Sequence, residues 1–142
     1  VIGYGILQSI TPNLLRGKHP GGTTAAVSAF ALAIVAAAVP LSFGWGASPG
    51  IVLVAGLAVF GAVFALNSAV HSFLILDYTD GDKVALNVGF YYMANAGGRL
   101  IGCLLSGILY QVAGLPGCLW GAFAFALISA LIALGLPKTA TL

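Results

Sequence analysis

Long apolar runs alternate with short breaks along this chain. Residues 25–43 carry no charge, and their hydroxyls, Ser28 and Ser42, lie near the two ends. Residues 51–76 form a second run, with Asn67, Ser68, His71 and Ser72 in its latter half. Residues 84–113 form a third, and residues 118–136 a fourth in which Ser129 is the lone hydroxyl. Each is long enough for a helix to cross a bilayer, which takes about 18 apolar residues or more. Residues 1–15 read as the end of a further helix. Its apolar part of about ten residues is too short to cross a core of roughly 30 Å at 1.5 Å per residue. The breaks fall at 16–22, 44–50, 77–83 and 114–117; all contain Gly, and the first and third also carry charge. Thr23 or Thr24 is expected to cap the second helix, and Asp80 or Asp82 the helix over 84–113. Every proline lies in a predicted break or at a helix end except Pro40, which sits in a last turn, where the lost hydrogen bond costs little.

Composition settles the class. Apolar residues make up 61% of the chain and charged residues 6%, with a mean hydropathy of +1.10. So few charges cannot cover the surface of a soluble domain, where about a quarter of residues are charged. The expected fold is all-α, a polytopic transmembrane helix bundle in contact with the lipid bilayer. The chain opens inside an apolar run and without Met, and reads as part of a longer protein.

Several functions drop out. A net charge of +2 with scattered cations gives no nucleic-acid surface. Cys103 and Cys118 have no metal-ligand spacing and read as small apolar fillers. The run DYTDGD at 77–82 resembles the start of a calcium loop, but no bidentate Glu follows, so it reads as a solvated turn. GGRLIG at 97–102 follows no strand and is not a dinucleotide fingerprint. No nucleophile elbow, Walker loop or HExxH is present. No enzyme, cofactor or metal is expected.

Charge gives the orientation. Arg16, Lys18, Lys83 and Lys138 lie in alternate breaks or at the C-terminus, while 44–50 and 114–117 have no cation. Lys and Arg mark the cytoplasmic side, so the C-terminus is expected inside, with Trp45 and Trp120 at the outer interface. The runs 25–43 and 118–136 are nearly featureless and can face lipid. The amides, imidazole and guanidinium of 51–76 and 84–113 are expected to face protein or a cavity.

Arg99 stands alone as a charge deep inside an apolar run. Taken every fourth residue, its segment reads Asn87, Tyr91, Asn95, Arg99, Cys103, beside a small row of Ala94, Gly98, Gly102 and Ser106. The small row suits close helix packing. Counted at 1.5 Å per residue, Asn67 and Asn95 lie about 6–8 Å, and His71 and Tyr91 about 12–14 Å, to the cytoplasmic side of centre. Arg99 falls near the midplane. Asn67, His71, Tyr91, Asn95 and Arg99 are therefore the candidate substrate-binding residues. Each has a structural alternative: Arg99 a pairing that locks its helix, the others hydrogen bonding between helices.

The runs FALNSAVHSFLIL (64–76), DKVALNVGFYYMANAGGRLIG (82–102) and GCLWG (117–121), with QSITPNLL (8–15) upstream, resemble the organoarsenical efflux permeases of the major facilitator superfamily. The resemblance implies the last third of a twelve-helix transporter, from the end of helix 8 through helix 12, whose remaining helices lie upstream. It implies a multi-pass protein of a bacterial cytoplasmic membrane that exports 1-arseno-3-phosphoglycerate, an anionic small molecule, by proton antiport and alternating access. A transporter of another organic anion, or a small structural or assembly membrane protein, are the other readings the residues allow.

Overall fold

The computed structural model of the protein describes residues 21–46, 48–79 and 81–136. These residues form an all-helical bundle. Helix α1 spans Gly22–Ser42 and α2 Pro49–Asp77. The helix Val84–Ala133 is broken at Gly114, which divides it into α3 (84–113) and α4 (115–133). Short 3-10 turns at Phe43–Trp45 and Gly81–Lys83 complete the described chain. The helix end expected over 1–15 lies outside the described residues.

The helices follow the apolar runs to within a few residues. Their starts differ from expectation. Gly21 precedes α1 and Lys83 precedes α3, and neither start has a side-chain cap bond. Thr23 and Thr24 lie inside the first turn of α1, and Asp82 lies in the 3-10 turn before α3. Asp80 lies outside the described residues. The first amides of these helices are left for water, which serves them adequately at a membrane surface.

The expected four-residue turn at 114–117 is absent. One residue, Gly114, turns the chain with φ 63° and ψ −159°. That region is open essentially to glycine alone. Pro116 then falls in the first turn of α4, where its missing N–H costs nothing.

Neighbouring helices run antiparallel. Ala25 packs with Val70 and Leu74, Ser28 meets Asn67, and Val39 lies against Gly56, so positions rise on α1 as they fall on α2. Ser106 meets Cys118 across the α3–α4 hairpin. One end of the bundle therefore holds the turn 43–46 and the break at Gly114. The other holds the start of α1, the loop 78–83 and Leu136, which packs beside Tyr78 against the Ala25 cluster.

Burial centres on α1. Of its most apolar window 39% is buried, against 6% for α2 and 11% for the long broken helix. It packs against both the α3–α4 hairpin and α2, which touch one another little. The reason is side-chain size. Gly22, Ala25, Ala29, Leu32, Ala36 and Val39 recur at alternating spacings of three and four, widened by Ala26 and Ala33, and all are buried. Small residues let backbones approach closely, the main source of helix association in lipid. The run read as able to face lipid is thus the one that holds the described helices together. Its outer face, with Val27, Ile34 and Leu41 exposed, is apolar as a lipid contact requires.

The close approach of α1 and α2 is testable at Gly56. A methyl added there would lie 2.5 Å from Val39 Cγ2 and 3.3 Å from Cγ1. Valine has one strongly preferred rotamer in a helix, so it cannot swing aside. Gly56→Ala is expected to destabilise the protein by about 1–3 kcal/mol, the range for overpacking. Gly61→Ala, where a methyl meets nothing within 4 Å, should have no such effect. Denaturant titration in detergent, followed by circular dichroism, compares the two. Equal stability of both variants would show that this contact is not tight.

Candidate functional site

The polar side chains of α2 and α3 are brought to the levels their sequence positions imply. Ser72 Oγ lies 3.4 Å from the Tyr91 hydroxyl, a long contact in which either group can donate. Nearer the loop, Asn87 Nδ2 donates to Thr79 Oγ1 at 3.2 Å, and the Thr79 hydroxyl donates back to the Ile75 carbonyl. These contacts put His71 beside the Tyr91 level and Asn67 beside the Asn95 level.

Asn67 is not free for a ligand on all sides. The Ser28 hydroxyl of α1 lies 2.8 Å from Asn67 Oδ1 and 3.0 Å from the Ala25 carbonyl, and its one proton serves both. This tie between α1 and α2 is of the kind worth about 0.6 kcal/mol in membrane helices. His71 is anchored to its own helix. Its Nδ1 donates to the Asn67 carbonyl at 2.9 Å, which fixes the hydrogen on that nitrogen. His71, Asn67, Tyr91 and Asn95 are all half-buried.

Arg99 is exposed on α3, and among the described residues it has no hydrogen bond or ion pair. The nearest acids in sequence lie before the start of α3. Arg99 is fifteen residues into that helix, about 22 Å along its axis.

The polar row does not lie on one face. At 3.6 residues per turn, a step of four residues advances about 40° around the axis. From Asn87 to Cys103 the row winds nearly half way round the helix. Of its lower members, Tyr91 reaches α2 and Asn87 reaches Thr79 in the turn that follows it. Arg99 and Cys103 are exposed, with Asn95 between. Ser28, Ser72 and Thr79, which partner these residues, were not among the expected site residues. For Ser28 and Ser72 the sequence signal was a hydroxyl on an uncharged stretch of helix, and for Thr79 a hydroxyl in the charged break at 77–83; neither by itself separates a polar tie from a neutral filler.

The small row borders space. Gly98, Gly102 and Ser106 line a groove of about 510 Å³ with Leu109, Gly121 and Phe125. A methyl added at Gly98 or Gly102 would meet nothing within 4 Å. Ser106 accepts through its carbonyl from the Cys118 thiol at 3.3 Å. Ala94 is exposed and lies outside this groove. Among the described residues, the small row thus meets α4 at Ser106 and leaves open space beside Gly98 and Gly102.

Comparison with protein families, curated proteins and solved structures finds no match. The described helices define a membrane-spanning bundle by length and apolar character, with α1, α2 and the broken helix each long enough to cross.

Proposed function

We propose that the chain is part of a secondary transporter of the major facilitator type that exports 1-arseno-3-phosphoglycerate from a bacterial cytoplasm. It acts as a carrier and not as an enzyme. The observation that carries this reading is Arg99: a guanidinium near the middle of a membrane helix, without a carboxylate partner among the described residues. A charge at that depth costs at least about 2.5–3.5 kcal/mol and is retained where it has work to do. An anionic substrate supplies the missing countercharge. The resemblance of residues 64–76, 82–102 and 117–121 to organoarsenical permeases supplies the identity of that anion.

In this reading the end bearing Lys83 is cytoplasmic, as is the C-terminus beyond Leu136. The site is completed by helices upstream of this chain, and access alternates between the two sides around the midplane. Proton antiport is the coupling that the resemblance implies.

The substrate is tested by genetic dependence. Full-length protein expressed in arsenate-sensitive cells should confer resistance only when a glyceraldehyde-3-phosphate dehydrogenase that forms the arseno-ester is co-expressed. Resistance without the dehydrogenase, or none with it, overturns this substrate.

A structural role for part of the polar set has its own support. Asn67 and Tyr91 each meet a hydroxyl on a neighbouring helix, and Asn87 meets that of Thr79 in the turn after α2. These three act at least in part as ties between helices. Arg99 and Asn95 have no such tie among the described residues.

A further inference from the structure

A cavity of about 430 Å³ lies where the end of α2 meets the first turns of α3. Ile75, Tyr78 and Thr79 line it from one side, and Asn87, Phe90 and Tyr91 from the other. No lining residue is charged, and three of the six are aromatic. Helix α2 has 29 residues. Its length of about 43 Å at 1.5 Å per residue matches a bilayer with its headgroups, about 40–45 Å, and exceeds the apolar core. The cavity, at the loop end of α2, therefore stands at headgroup level.

Hydrogen bonds fix the polarity of its wall. The Thr79 hydroxyl gives its one proton to the Ile75 carbonyl. Towards Asn87 the Thr79 oxygen can then only accept, so the amide presents Nδ2 to it, at 3.2 Å. Asn87 Oδ1 is left over, and it has no hydrogen-bond partner among the described residues. Asn87 is exposed, so this oxygen is an unused acceptor at the cavity wall. Charge then selects the kind of donor. Three Asp and one Lys give the break 77–83 a net charge of −2. Asp77, Asp82 and Lys83 form no ion pair among the described residues. Carboxylates in excess attract a cation and repel an anion, and aromatic rings add to the hold on a cation.

We propose that this cavity binds the ethanolamine headgroup of a bilayer phospholipid, whose primary ammonium donates to Asn87 Oδ1 among the side chains of Tyr78, Phe90 and Tyr91. The site stands apart from Arg99 and does not depend on what Arg99 binds.

A lipid is the source of the ammonium because of where the cavity lies. It is at the level that headgroups occupy, and the exposed side chains of Leu76 and Leu86, next in sequence to Ile75 and Asn87, offer apolar surface to acyl chains. Phe90, itself exposed, lines the cavity and continues that surface. The free acceptor sets the choice of headgroup. A choline headgroup carries the same positive charge but has no N–H to donate. A glycerol headgroup can donate from its hydroxyls but brings only the negative charge of its phosphate. Ethanolamine supplies both the N–H and the positive charge.

The test loads full-length protein in detergent with equal amounts of phosphatidylethanolamine, phosphatidylcholine and phosphatidylglycerol of matched acyl chains. Native mass spectrometry counts the lipid retained. Wild type should hold the ethanolamine lipid about tenfold more tightly than the choline lipid, the difference made by a hydrogen bond from a charged group. The glycerol lipid should be held least. Asn87→Leu should bring the ethanolamine and choline lipids level. Phe90→Leu, at an exposed position, should weaken both about two- to fivefold and keep their order. Phosphoethanolamine, with the same ammonium and no acyl chains, should displace neither at equal concentration. Equal retention of the ethanolamine and choline lipids by wild type overturns the proposal, as does a preference that survives Asn87→Leu. If Asn87→Leu fails to accumulate, unchanged lipid binding by Phe90→Leu overturns it instead. Displacement by phosphoethanolamine overturns the lipid as occupant and gives the cavity to a soluble amine.

Discussion

Arg99→Ala in the full-length transporter is expected to abolish arsenate resistance while membrane levels stay normal. The guanidinium presents paired N–H donors in a planar fork that matches carboxylate and phosphate oxygens. Truncating one partner of a desolvated charge pair costs about 2–5 kcal/mol, which lowers affinity by a factor of roughly thirty to several thousand. Folding should not suffer, because Arg99 is exposed and has no partner among the described residues. Removing a charge from the middle of a membrane helix favours insertion by at least about 2.5 kcal/mol. Arg99→Lys should keep the charge and lose the fork, giving partial resistance. Growth on arsenate, with immunoblots of the membrane fraction, reads both effects. Full resistance in Arg99→Ala, or loss that merely follows failed accumulation, would remove Arg99 from substrate recognition.

Gly114→Val is expected to be the most damaging change to the fold. Its φ of 63° and ψ of −159° lie where a Cβ is not accommodated, and a β-branched residue is the worst fit. The cost is about 3 kcal/mol, at the upper end for single strained residues. The variant must either accept that strain or move the break, which shifts the register of α4 against α3 and parts Cys118 from Ser106. Gly107→Ala is the control. It lies within the last two turns of α3, a methyl there meets nothing within 4 Å, and alanine is the better helix former by about 1 kcal/mol. Thermal unfolding in detergent should rank Gly107→Ala at or above wild type and Gly114→Val well below. Matching melting points for Gly114→Val and wild type would mean the turn is not set at this residue.

The helices were legible in the sequence because span length and hydropathy are local properties. The runs at 25–43, 51–76 and 84–113 became α1, α2 and α3 with small shifts at their ends. The turn at Gly114 was not legible in detail. A glycine next to Leu-Pro signals a break, but not that one residue suffices. Burial was misjudged for a clear reason. Polarity was taken as the guide to which run lies inside, yet in an apolar solvent polar content and burial separate. The alanines of α1 carry no polar signal and still bring helices together, because small size is what close packing needs. The candidate site was legible as a set of levels. Its spread around α3 was obscured by counting in fours, which ignores the advance of about 40° per step. Hence Tyr91 meets Ser72 while Arg99, eight residues on, has no hydrogen bond or ion pair to α2 or to any acid among the described residues.

The alanine stripe of α1 has a dynamic consequence. Alanine has no rotamers to lose, whereas burying a long side chain costs up to about 2 kcal/mol of conformational entropy. A surface built from Ala25, Ala26, Ala29, Ala33 and Ala36 freezes almost nothing when it docks and releases almost nothing when it parts. The alanines themselves present no knobs that must lift out of holes; on this face only Leu32 and Val39, the latter seated against Gly56, resist movement of the neighbour. Such a face resembles a bearing more than a lock: two helices can slide past one another by a fraction of a turn and meet equivalent contacts at each position.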